Sequence, residues 1–462
     1  METNTLPSYA EAVELLDSFQ NMERSGVTAS GLAGGTERMQ RLMKRLDSPH
    51  AAIPAVHIAG TKGKGTTTHM VAAALSAAGL KTGLYTSPHV DELRERIQIQ
   101  GRAISEQRFV EACMAVIPAA QAMKDDGDSP TWFEVLTATA FVAFGNARVE
   151  AMVLETGLGG RLDATNLPDL RLAAIGITAI SRDHEDILGP GLASIAAEKA
   201  AIIRENIPMV TVPQEEGVMQ VIEARARELM APVFKVGRDV TVEFRRPATP
   251  DKPNLGQRLD LETWRNVYPD IPLAMLGRHQ ADNAGLALGL TDLFLEYMDR
   301  ESLDSLVLKR AWRSLSLPAR MEVMPGSPRH VIDGAHNPAS AWVAGETVLE
   351  AFTASASART LVFGVAADKD WRAMLRILAP LFGHIVLTPY DSPRAVDPAE
   401  LAKFVAKEFP AVKTAAAIDP AHALELAEGF TPVDGLILTT GSLWMAGEMR
   451  RLCKREKAAK SK

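Results

Sequence analysis

HIAGTKGKGTTT, His57 to Thr68, is the stretch from which the rest of the chain is read. The usual phosphate-loop spelling, G-x-x-x-x-G-K-[ST], places a glycine five residues before Gly63 and a hydroxyl directly after Lys64. Here those positions hold Ile58 and Gly65. The physics survives the altered spelling. Ile53 to Ala59 is an apolar run of strand length, and Gly60, Gly63 and Gly65 open backbone angles closed to other residues. Thr66 begins an alanine-rich segment that ends at Gly79. Strand, loop and helix in that order make a cradle of backbone N–H groups, Thr61 among them, with the positive end of a helix behind it. Lys64 would reach the terminal phosphates of a nucleotide, and Thr66 or Thr67 would offer a hydroxyl to magnesium. The ordinary alternative is a glycine-rich turn carrying two solvated lysines, Lys62 and Lys64. The order of strand, lysine, hydroxyl and helix favours nucleotide binding.

Composition permits this reading without choosing it. A chain of 462 residues exceeds one ordinary domain, and 47% apolar with 23% charged residues is the balance of a soluble globular protein. A net charge of −7 argues against a nucleic-acid or acidic-membrane partner, and the closing KREKAAKSK reads as a solvated basic tail. Cys113 and Cys453 are the only thiols, and METNTLPSYAEAVELL lacks the basic-then-apolar pattern of an export signal, so a cytoplasmic setting is expected. No apolar run reaches membrane-spanning length.

Apolar runs of strand length alternate with segments of helical period, the pattern of a mostly parallel sheet wrapped by helices. Strands are expected at Ile53 to Ala59, Thr82 to Thr86, Ala151 to Glu155, Leu172 to Ile180 and Pro208 to Val212. Between Asp239 and Ala274, pieces such as TVEFRR and QRLDLETW suggest a small antiparallel patch, and helical character returns at His279. A second α/β alternation follows, with strands expected at 330 to 332, 360 to 364, 384 to 388 and 434 to 438. SLSLPAR, Leu315 to Arg320 with its preceding serine, reads as the link. The expected fold is α/β: an N-terminal domain, 1–315, of P-loop ATPase type, and a C-terminal Rossmann-like domain, 316–462.

VLETGLGGRLDATN, Val153 to Asn166, puts Glu155 at the C-terminal end of a buried strand before a glycine turn, where an open α/β sheet presents a metal-binding or water-positioning acid. A second strand end, AIGITAISRDHEDILG, delivers Asp183 and His184, and the imidazole could join Glu155 on one metal. Thr131 and Glu134 in TWFE have the spacing of a capping box, which is the preferred reading. Lys199 in SIAAEKAAII would ordinarily be a solvated neighbour of Glu198.

Taken together, these blocks resemble one family. GTKGKGTT, TSPHVDELRERI, TWFEVLTATAF, ETGLGGRLDATN, DHEDILG with IAAEKAAII, GRHQADN, PARMEV, DGAHNP, FGVAADKD and TGSLWMAGE follow the order of the folylpolyglutamate synthases and bifunctional dihydrofolate synthases, relatives of the Mur peptidoglycan ligases. In that family the loop is written G-T-x-G-K-G-[ST], usually with asparagine where this chain has Lys62. Ala201 is a second small departure, at a position where the family more often has glycine.

The resemblance implies an ATP-dependent carboxylate–amine ligase that adds L-glutamate to dihydropteroate, to the glutamate tail of reduced folates, or to both. By similarity, Lys64 and Thr66 hold phosphates and magnesium, Ser87 and Glu155 serve the metal, and His184 a second metal position. Lys199 matches a lysine that such enzymes carbamylate. Arg320 and Asp333 match residues gripping phosphate and ribose, Gln280 and Asn283 fall at adenosine contacts, and His336 with Ser442 is expected near glutamate. The bland reading of DGAHNP is a turn in which Asn337 caps a helix. The expected partners are small molecules, with no nucleic acid or membrane, and the chain is expected to act as a monomer. Two alternatives stay open: a ligase of the same fold acting on another acid, and a regulator that hydrolyses ATP without joining anything.

Overall fold

The two β-sheets that organise the chain are built from strands buried on both faces. Pro54–Ala59 (β1) is buried at every position, as a central parallel strand covered by helices on both sides must be. The computed structural model describes residues 6–25, 34–245 and 256–460. Its first sheet has eight strands. They are β1, Thr82–Tyr85 (β2), Ile97–Ile99 (β3), Arg102–Ala103 (β4), Ala151–Glu155 (β5), Arg171–Ile177 (β6), Met209–Thr211 (β7) and Val233–Lys235 (β8), in the order β4-β3-β2-β5-β1-β6-β7-β8. From β2 to β8 every pairing is parallel, and β3 and β4 add an antiparallel edge. The strand after β1 lies on one side of it and β6 on the other. Ligands collect at the carboxyl ends of strands where the order reverses in this way, and β1 is the strand that feeds the glycine loop.

A three-stranded sheet, in the order β11-β10-β9, is formed by Thr241–Arg245 (β9), Gln257–Glu262 (β10) and Val267–Leu273 (β11). A turn closed by Thr263 N–H to the Asn266 carbonyl joins β10 to β11, a connection short enough only for antiparallel neighbours. Arg246, the last residue of TVEFRR, lies outside the described residues, as do residues 247–255 and the last two of the basic tail.

The second large sheet comprises Glu322–Met324 (β12), Arg329–Ile332 (β13), Arg359–Phe363 (β14), His384–Leu387 (β15), Lys413–Ala416 (β16) and Leu436–Thr440 (β17), in the order β12-β13-β17-β14-β15-β16. It is parallel from β13 to β16, with β12 antiparallel at one edge. The nine strands expected from the sequence are all present, most within a residue or two of their expected ends, and the α/β class is as expected. β3, β4, β8, β12 and β16 were not among them.

The chain divides into two compact units. One comprises Met1–Glu243, Asp260–Pro269 and Asp282–Trp312. The other comprises Phe244–Leu259, Asp270–Ala281 and Arg313–Lys462, so it is assembled from three separate stretches. Each has its own core: Met39, Phe109, Phe141 and Ile175 are buried in the first, and Leu276, Val348, Phe363 and Leu438 in the second. No helix among the described residues is long and apolar enough to cross a membrane.

Candidate active site

The glycine loop leaves β1 at Ala59 and is stapled to the chain that follows β6. Thr61 and Lys62 N–H both donate to the Ala179 carbonyl, at 2.9 and 3.0 Å, and the Thr61 hydroxyl donates to the Ser181 carbonyl at 3.1 Å. Gly60 has φ +150°, and a Cβ there would lie 1.8 Å from Thr178 Oγ1, so no other residue fits. The next helix runs Lys64–Ala77, two residues earlier than the sequence suggested, because Gly63 at φ +88° makes the turn itself. Gly63 has no side chain to cap the first-turn N–H groups, which therefore face the loop as a ready anion site. Thr66 and Thr67 are buried in that first turn, and Thr67 Oγ1 has no hydrogen-bond partner among the described residues.

Glu155 ends β5 directly beside Ile58, and Thr156 N–H donates to the Ile58 carbonyl at 3.0 Å. Its carboxylate accepts from Ser87 N–H at 3.3 Å, and its Oε2 would touch a Cβ on Gly65 at 3.4 Å. Loop, Ser87 and Glu155 therefore meet at one end of one sheet. Asn283, on the helix His279–Tyr297, packs on Gly63. Gln280 is buried on the same helix, at the edge of the other unit.

Lys199 is not the solvated neighbour of Glu198 that its sequence context suggests: it is 4% exposed. Burial first, and the nearby charge of Lys64 second, bring its ammonium down to about 7 from an ordinary 10.5, while Asp183 and Asp163 pull the other way. His184 is less enclosed. It opens the short helix Glu185–Leu188 at φ +53°, its side chain 43% exposed and 3.7 Å from Asp183. Asp183 also takes Lys62 Nζ at 3.6 Å, a partner for the lysine that replaces the family's asparagine. Among the described residues no three His, Cys, Asp or Glu side chains form a metal cage. The orphaned Thr67 hydroxyl, Glu155 and the cradle between them suit magnesium, which binds through one or two carboxylates together with nucleotide phosphates.

In the second unit, Arg320, Asp333 and His336 come together at the end of β13. Asp333 accepts from Met321 and Ala335 N–H, both at 2.9 Å, and Gly334 N–H donates to the Ala319 carbonyl at 2.9 Å. A Cβ on Gly334 would lie 2.9 Å from Arg320 Nη1. His336 Nδ1 is 2.9 Å from the Gly334 carbonyl, which fixes its ring. Asn337 does cap the helix Pro338–Ala351, accepting from Ser340 N–H at 2.9 Å. That cap sits directly beside His336, whose backbone N–H donates to the Ser340 hydroxyl at 3.2 Å. Ser442 is buried at the end of β17, where Gly441 N–H donates to the Ala335 carbonyl at 2.9 Å. Thr131 and Glu134 form the expected capping box, and Glu134 also receives Arg38 through two 2.7 Å bonds.

Sequence reading missed His57, Thr165 and Asp163. The available signal was His57 itself, a titratable residue in an otherwise apolar strand directly before the loop.

The sheet order and the loop at its switch point define an α/β nucleotide-binding protein. A family model described as the Mur ligase middle domain matches residues 58–291, and one described as the Mur ligase, glutamate ligase domain matches residues 319–443. The chain is 33% identical over 430 residues to a dihydrofolate synthase/folylpolyglutamate synthase of Bacillus subtilis, covering 92% of this chain and 96% of the relative. It is 36% identical over 449 residues to a protein of the same description from Mycobacterium tuberculosis, covering 91% and 90%. A crystal structure of Mycobacterium tuberculosis folylpolyglutamate synthase complexed with ADP and AMPPCP superposes with a TM-score of 0.85 at 33% identity, over 96% of this chain and 98% of that one. The chain belongs to the dihydrofolate synthase/folylpolyglutamate synthase family.

Proposed function

We propose that the protein is an ATP-dependent acid–amino-acid ligase that joins L-glutamate to dihydropteroate, to the glutamate tail of reduced folates, or to both. The observation that carries this reading is the meeting of the glycine loop, Ser87 and Glu155 at the switch point of the first sheet, with Lys199 buried close enough to feel the charge of Lys64.

A carboxylate is a poor acylating agent. One of its oxygens attacks the γ-phosphorus of ATP, ADP leaves, and an acyl phosphate results. The amine of glutamate attacks the acyl carbon, phosphate departs and the amine gives up its proton. Lys64 and the first-turn N–H groups take up negative charge as the phosphoryl group moves. Magnesium, held by Thr66 or Thr67 with Ser87 and Glu155, would neutralise the phosphate oxygens. Lys199, as a neutral amine, would add to CO2 with loss of a proton, and the resulting carbamate would supply an anion that binds metal or orients the γ-phosphate. Arg320 and Asp333 serve phosphate and ribose, Gln280 and Asn283 the adenosine, and His336 with Ser442 the incoming glutamate. His184 lies near enough to Asp183 to share a second metal position. The pteridine end packs beside the Ser87 segment and the 130–145 region, most of it the helix Trp132–Ala147. Phe133 supports this, being half-buried on an otherwise covered face and lying against Gly157. The enzyme acts as a monomer in the cytoplasm.

ATP turnover measured with and without dihydropteroate, folates and glutamate tests the reading. Turnover that requires both an acceptor and glutamate is expected, and Lys64→Ala should abolish it. Turnover indifferent to glutamate would overturn ligation, and turnover supported only by a different acid would overturn the substrate.

A further inference from the structure

Lys62 is the position at which the phosphate loop departs from the family's usual spelling, and its surroundings are built rather than loose. Lys62 and Ala179 form an isolated antiparallel bridge, with Lys62 N–H donating to the Ala179 carbonyl at 3.0 Å. The Thr61 hydroxyl is used twice, donating to the Ser181 carbonyl at 3.1 Å and accepting from Ser181 N–H at 3.2 Å. These bonds zip the loop onto the chain that leaves β6. The backbone at Lys62 is thereby fixed against the segment that carries Asp183.

The side chain is directed as well. Lys62 Nζ lies 3.6 Å from Asp183 Oδ2, with the two side chains 29% and 19% exposed. The other carboxylate oxygen, Oδ1, is 3.7 Å from His184 Nε2. Each oxygen of Asp183 therefore faces a nitrogen, the ammonium on one side and the imidazole on the other. Arg182, the remaining cation of the segment, pairs with Glu185 at 3.5 Å instead.

Asp183 and His184 are the residues given a second metal position in the ligase reading. A divalent ion there would share the carboxylate with an ammonium that already offsets its charge. Asparagine at 62 would bring no charge and would add a carbonyl oxygen, a ligand that hard cations accept. Lysine does the reverse. It carries a full positive charge on a flexible stem and repels a second cation.

We propose that the Lys62 ammonium takes the place of a second divalent ion at Asp183, so that the protein holds one such ion tightly with its nucleotide and not two. This inference rests on the ligase reading and narrows it: positive charge that a diffusible ion would supply comes from the chain itself. His184 is left as a ligand only for a weakly held ion.

Manganese, which is paramagnetic and takes magnesium's oxygen ligands, gives the count. Electron paramagnetic resonance of the free ion is followed as manganese is titrated into full-length protein loaded with one equivalent of a non-hydrolysable ATP analogue. The wild type should take up one ion tightly and a second at least about tenfold more weakly. Lys62→Asn should tighten the second ion by about tenfold or more, and Lys62→Arg, which keeps the charge, should retain the wild-type pattern. His184→Ala combined with Lys62→Asn should abolish the gain. Two ions of similar affinity in the wild type would overturn the proposal. So would an unchanged count in Lys62→Asn, even with a lowered melting temperature, since that is the behaviour of a plain loop staple. A gained ion that survives His184→Ala would lie elsewhere and overturn it too. The count needs no ligation, so a wild type that binds nucleotide yet forms no glutamate adduct overturns the ligase reading and not the count.

Discussion

Asn283 packs so closely on Gly63 that a Cβ at 63 would come within 2.3 Å of its Oδ1. Gly63 also sits at φ +88°, where any other residue is strained by about 1–3 kcal/mol. Gly63→Ala should therefore disturb the loop and the neighbouring helix together, and weaken nucleotide binding by about tenfold or more. Titration calorimetry with a non-hydrolysable ATP analogue measures this. Wild-type affinity would mean that the loop has room this geometry does not show.

The low ammonium pKa of Lys199 makes it reactive. At pH 7 about half of its molecules carry a neutral amine, against on the order of one in a thousand for an ordinary lysine. Lys199→Ala should lose activity by about 100-fold or more and regain part of it with formate or acetate, which restore a carboxylate-like anion. In the wild type, removing CO2 should slow turnover and bicarbonate should restore it. The dependence should steepen as the pH falls through about 7, because protonation removes the attacking amine. Full activity of Lys199→Ala would take this residue out of the site.

His336 and Arg320 should separate kinetically. His336→Ala is expected to raise the KM for glutamate, lower kcat, or both, with nucleotide affinity largely intact. Arg320→Ala should weaken the nucleotide too, since a guanidinium on phosphate contributes before the amine arrives. Unchanged glutamate kinetics in His336→Ala would return DGAHNP to a plain helix-capping turn.

Acid should destabilise both units. Burial holds His57 at about 3 and His330 at about 4, below the ordinary 6.5. As the pH falls below about 6.5 the unfolded chain takes up protons that the folded chain refuses, so stability declines. By pH 4 the cost is about 3 kcal/mol for each histidine. Urea midpoints between pH 7.5 and 4.5 should fall, and His330→Gln should flatten the slope of the second unit. An identical slope would show that His330 protonates without cost.

The elements legible in the sequence were those whose physics is local. β1, β5 and β6 are almost wholly buried and read as mainly apolar runs, His57 being the exception inside β1, and the glycine turns after β1 and β5 need no partner to be recognised. β4 and β12 are two- and three-residue edge strands, too short to show a period. Lys199 looked solvated because its neighbour is a glutamate, and the packing that buries it, including the close approach of Gly160 from another strand end, is not local in sequence. Thr165 and His57 are 108 residues apart, so their bond has no signature in spacing.

The three-part make-up of the second unit governs the order in which a growing chain can complete its folds. Phe244–Leu259 and Asp270–Ala281 leave the ribosome well before Arg313–Lys462, the stretch whose core takes in Leu276. Until that stretch is made, Leu276 waits without the rest of its core, whereas the first unit has every strand of its large sheet once residue 235 has emerged. A nascent chain stalled near Leu315 would present a finished nucleotide fold carrying two orphaned segments, a natural substrate for holding chaperones. Cutting the gene at that point would leave the same exposed fragments, so a clean separation of the units calls for excising or replacing those two inserts as well.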